Sequence, residues 1–151
     1  GLIISLFFLA IMAPGFMLNT IIKTLGSRVN LWSLIIMSLG LIITALTRPS
    51  MLSLSVGAVL TGFGYGIMQP IVYDKAATNA PPELATLALS WVMAVNYLAI
   101  LVAPFLMDGI DHLFATTKPN FAFLANGIVT LLIAILAALL YRRNRVLGSD
   151  D

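Results

Sequence analysis

Five apolar runs of about 20 residues, separated only by short polar linkers, constrain this chain more than any other feature. At about 1.5 Å per residue, about 20 residues of helix match a hydrocarbon core about 30 Å thick. A water-soluble domain could not bury that much apolar surface, because about a quarter of its residues would be charged. Here charged residues make up 9% and apolar residues 60%, with a mean hydropathy of +1.04. The pattern predicts an all-α integral membrane protein with spans at about 2–22, 31–47, 51–73, 84–107 and 121–141. Linkers this short leave no room for a soluble domain, so the whole of 1–151 reads as one transmembrane domain.

The punctuation of the runs supports these limits. The first run carries Pro14-Gly15 at its middle, where a spanning helix can bend, and ends at Lys23. The second stops at Arg48-Pro49-Ser50 and the third at Asp74-Lys75, before the loop ATNAPPE. Asp108, Asp111, His112, Lys118 and Pro119 form the longest polar connection, and Arg142, Arg143 and Arg145 close the fifth run. All eight basic residues lie between or beyond the runs, so the pI near 9.2 reports topology and no nucleic-acid partner. Six of the eight fall on one side and two on the other, which predicts a cytoplasmic C-terminus and an outside N-terminus. With five spans, no signal and Gly1 resembling a cut end, the chain reads as lacking at least one preceding helix. The expectation is a fragment of a larger transporter.

Two stretches carry a resemblance. PGFMLNTIIKTLGSRVNLWSLIIMSLGLIITAL has a tight loop, Leu25-Gly26-Ser27-Arg28, between two helices, and resembles the GxR loop of the major facilitator superfamily. TGFGYGIMQPIVYDKAATNAPPELATLALSWVMAVNYLAILVAPFLMDGI is similar to the same family's glycine-rich cavity helix, cytoplasmic loop and alanine-rich helix, through Gly62, Gly64, Gly66, Pro82, Glu83 and Ala103-Pro104. The resemblance covers nearly the whole chain and implies most of one six-helix bundle, helices eight to twelve. Thr24 and Leu25 stand before Gly26 where the strongest form of the loop has an aspartate, which favours the second half of the fold. Ala103-Pro104-Phe105 lacks the paired glycines of the antiporter motif, so export is not implied. The family implies a secondary active transporter that moves a small solute across the plasma membrane by alternating access. Its partners would be the bilayer, the N-terminal half of the carrier and the solute.

In the third run Thr61, Tyr65, Gln69 and Tyr73 recur at steps of four and share one slowly spiralling face. Beside them Ala58, Gly62 and Gly66 form a small-residue seam that lets another backbone approach. By the resemblance this helix borders the central cavity, which makes Tyr65, Gln69 and Tyr73 candidate substrate residues. Tyr73 could equally be an interfacial anchor, and Thr61 could bond its own helix. Asn96 is the strongly hydrogen-bonding amide near the centre of the fourth run, either glue between helices or part of the translocation path. Trp91 fits packing, and Asn19 and Asn126 raise the same question as Asn96, with Asn126 structural. Asp74, Lys75 and Glu83 form either a charge cluster at an inner gate or a solvated loop. Arg28, with Lys23, either bonds the end of a neighbouring helix or merely sets topology. Pro14, Gly15, Gly62, Gly66 and Pro104 are the expected bends and packing points.

Several chemistries find no support. There is no cysteine, and the lone His112 cannot build a metal centre, so no cofactor is expected. Gly62-x-Gly64-x-Gly66 lies inside an apolar span, not between a strand and a helix, and does not cradle phosphate. No charged residue or histidine occupies the middle third of any run, which leaves a proton relay and recognition of a strong anion to other parts of a carrier. An uncharged or amphipathic solute fits. Asp74 and Asp108 belong to opposite sides of the bilayer, so they form no aspartyl pair, and an enzyme is not expected. The alternative to a transporter is an assembly subunit that binds partner helices and moves nothing.

Overall fold

The computed structural model describes residues 1–48, 50–114 and 120–147, with side chains as far as Tyr141. Five α-helices account for nearly all of it: α1 (Leu2–Leu25), α2 (Val29–Leu46), α3 (Met51–Asn79), α4 (Ala85–Leu113) and α5 (Phe121–Leu147). Lys118 and Pro119 lie outside the described residues, as do the side chains of Arg142, Arg143 and Arg145.

Helix ends follow backbone chemistry more than charge. α3 continues through Asp74 and Lys75 to Asn79, six residues past the expected limit of 73, because Ala76 and Ala77 sustain a helix and nothing interrupts it before Pro81. Pro82 and Glu83 then open a 3-10 turn, Pro82–Leu84, where a missing N–H costs nothing and an acid suits the helix start. α4 likewise runs past Met107, so Asp108 and His112 sit one helical turn apart rather than in a loop. Between α1 and α2 only the 3-10 turn Gly26–Arg28 intervenes. Gly26 has φ +53°, a conformation that costs any other residue a Cβ clash, and this reverses the chain. Ile3, Ile4 and Phe7 of α1 line the same cavity as Leu41 and Thr44 of α2, so the two helices are antiparallel and the 45-residue stretch Leu2–Leu46 is a hairpin.

The chain forms two compact units, Gly1–Met68 with Phe123–Asp151, and Gln69–Ala122. In the first, small residues set the spacing. A Cβ added at Gly62 would stand 2.6 Å from the Phe7 carbonyl oxygen, and one at Gly66 2.9 Å from the Ile11 Cα, so both glycines admit the backbone of α1. On the side of α3 toward α2, a Cβ at Gly57 would lie 2.9 Å from the Gly40 oxygen and one at Gly64 2.7 Å from the Ser33 oxygen. Gly127 of α5 meets Ile42 of α2 in the same way. The fully buried Ser38 donates to the Gly127 carbonyl at 2.9 Å and joins α2 to α5, and the Ser27 and Tyr141 hydroxyls share a hydrogen bond of 2.7 Å. Pro14 is buried within this packing, whereas Gly15 is exposed with nothing close to it.

The second unit has a different character. α4 contains no buried residue, and Trp91, expected to pack, is 66% exposed. Leu98, Ile100, Leu101 and Phe105 are exposed as well. Such a helix is stable only where hydrocarbon replaces water around it.

Candidate functional site

The second unit places three of the four candidate substrate residues together. The Tyr73 hydroxyl oxygen accepts a hydrogen bond of 3.0 Å from Gln69 Nε2, one turn earlier on α3, and one of 3.4 Å from Asn96 Nδ2 on α4. The first contact is local and follows from the step of four. The second ties two helices. All three side chains are half-buried. With both lone pairs of the phenol oxygen engaged by amides, the phenolic proton is left to donate outward. The cluster carries no formal charge, and it can recognise a ligand through neutral hydrogen bonds and the face of an aromatic ring.

Tyr65 is half-buried on α3 in the first unit. Thr61, at the head of the polar series, faces α2: a Cβ on Gly40 would lie 2.7 Å from the Thr61 nitrogen. The polar stripe therefore begins in a helix seam and ends in a hydrogen-bonded cluster.

Of the gate candidates, Arg28, Asp74, Lys75 and Glu83 are all exposed. Among the described residues the ion pair present is Asp108 with His112, at 3.8 Å, and it involves none of these four. The Pro14, Gly62 and Gly66 positions serve packing as described, while Pro104 sits inside α4 on an exposed face and removes the N–H that the Ile100 carbonyl would accept.

Three features lie outside the expected set. Pro70 is inside α3, between Gln69 and Tyr73, and leaves the Gly66 carbonyl without its usual helical donor. The tripeptide Gln69-Pro70-Ile71 signals this directly. Ser38 is invisible as a contact because nothing near it in sequence distinguishes a serine that bonds its own helix from one that bonds another. Asn30 and Asp111 each hold one buried side-chain oxygen with no partner.

Long apolar helices whose few mid-helix polar groups are amides and a phenol have the character of a polytopic membrane protein. The family model of the Major Facilitator Superfamily matches residues 1–150, and the chain belongs to that superfamily of transporters. No curated protein and no solved structure matches it. The membrane character drawn from composition is thereby shown: four helical stretches, the first being the α1–α2 hairpin, are long and apolar enough to cross a bilayer.

Proposed function

We propose that the chain is a single transmembrane domain contributing helices eight to twelve of a carrier that moves a small solute by alternating access, with Gln69, Tyr73 and Asn96 in the solute path. The observation that carries this reading is the Tyr73 hydroxyl, held between two amides on two helices with its proton free to donate. Tyr65, two turns before Tyr73 on α3, extends the same path. A neutral cluster suits an uncharged or amphipathic solute, and charge recognition falls to the N-terminal half-bundle that completes the carrier. Six of the eight basic residues, Lys23, Arg28, Lys75, Arg142, Arg143 and Arg145, fall on one side and favour a cytoplasmic C-terminus, and the family resemblance favours the plasma membrane. On that side Asp74, Lys75 and Glu83, exposed in this conformation, would form a charge cluster as the inner gate closes and Arg28 would bond the end of a neighbouring helix, while Pro14, Gly15, Gly62, Gly66 and Pro104 take up the bending.

Single cysteines placed from 58 to 73 and at 96 in the intact protein, labelled in membranes with a water-soluble thiol reagent, test the path. This stretch has no native cysteine to confuse the readout. Labelling should peak at 65, 69, 73 and 96, and Gln69→Ala should lose transport while remaining folded. Uniform protection at these positions would leave the cluster as glue between helices, as in an assembly subunit.

A further inference from the structure

Near the beginning of α1 the first unit leaves a cavity of about 240 Å³. Its walls are almost wholly hydrocarbon, from Ile3, Phe7, Leu41, Leu54 and Phe123. Of its two hydroxyls, that of Thr44 is already spent on the Gly40 carbonyl at 2.9 Å. Ile4 stands at the rim and is 62% exposed, so the cavity is open to the surroundings of the helix rather than sealed. In a membrane protein those surroundings are acyl chains, and a slot without polar partners holds no ordered water.

A cation lies close to it along the chain. Arg48 follows Thr44 by four residues, and its carbonyl oxygen accepts a hydrogen bond of 3.0 Å from Ser53, the neighbour of the wall residue Leu54. The Arg48 backbone is thus fastened to the first turn of α3 beside the cavity, while its side chain is exposed and has no ion pair among the described residues. An arginine fork above an apolar slot matches a phosphate above an acyl chain.

We propose that this groove binds an anionic phospholipid, with one acyl chain between α1, α2, α3 and α5 and the phosphate on Arg48. Binding here requires only that the protein lies in a bilayer.

The intact protein in nanodiscs of equal phosphatidylglycerol and phosphatidylcholine, released into mild detergent, can have its retained lipids counted by native mass spectrometry. Phosphatidylglycerol should be enriched about fivefold over phosphatidylcholine, the effect of one arginine near an anionic headgroup. Arg48→Gln should abolish the enrichment, and Arg28→Gln, at the opposite end of the hairpin, should not. Ile4→Trp, which fills the groove from its rim, should lower retention of both lipids. All three substitutions are at exposed positions, and an unchanged size-exclusion profile confirms folding. Equal retention of the two lipids, enrichment that survives Arg48→Gln, or retention unchanged by Ile4→Trp would each overturn the proposal, the last by showing that another protein segment fills the groove.

Discussion

The two halves of α3 belong to regions held together in opposite ways. Up to Met68 the helix is locked by backbone approach: Gly57 and Gly64 toward α2, Gly62 and Gly66 toward α1. From Gln69 on, a single residue, Ile71, is buried, and the ties in view are hydrogen bonds of a phenol with two amides. In lipid there is no hydrophobic force between helices, so close packing and polar bonds are the two means left, and each region uses one. Close backbone packing and polar bonding thus fall on separate stretches of one helix. A seam of glycines leaves no side chain to meet a solute, and a cluster of amides leaves no seam to lock.

The largest effect should come from breaking the seam. Gly66→Val puts branched bulk against the backbone of Ile11, which cannot move aside as a side chain can, and should cost about 3 kcal/mol or abolish folded protein. Thermal melting of the intact protein in detergent reads this directly, and an unchanged midpoint would dissolve the distinction between the regions. Tyr73→Phe comes next. It removes the acceptor shared by Gln69 and Asn96 and should lower stability by about 1 kcal/mol. A double-mutant cycle with Asn96→Leu should show coupling of about 0.6 kcal/mol; strict additivity would mean that the longer bond carries no energy. Ser38→Ala deletes a polar bond from α2 to α5 inside the packed region and should cost somewhat less than Tyr73→Phe, since the glycine contacts remain. Gly109→Ala is the smallest. Nothing lies within 4 Å of it, and its effect should stay within about 0.5 kcal/mol.

Much of this division is visible in the amino-acid order. Steps of four from Tyr65 to Tyr73, with Gly62 and Gly66 alongside, describe faces of one helix, and helical geometry alone converts them into neighbours. What α3 faces is another matter. The bond from Asn96 to Tyr73 depends on how far α4 is rotated about its axis, and the half-buried face at Ala85, Ala88, Leu89, Val92, Met93 and Asn96 is, Asn96 apart, made of the same apolar residue types as the exposed faces beside it, so composition does not reveal the angle. The second seam, Gly57 with Gly64, is masked in the sequence because its spacing of seven lies beside the regular one at 58, 62 and 66. Charge does not set the helix ends: hydrogen bonding continues past Asp74 and Asp108, and α3 and α4 run on to Asn79 and Leu113. Prolines at 81 and 82 stop a helix; aspartates do not.

The turn at Gly26 has a consequence for how the protein is made. Three residues between two long apolar helices leave no tether on which α2 could wait in water while α1 settles in the bilayer. At about 5–20 residues per second the 45 residues of the pair leave the ribosome within about 2–9 seconds. The translocation machinery must therefore release them sideways as one folded-back unit, and a residue at 26 that resists a positive φ would be felt first as a delay in that release.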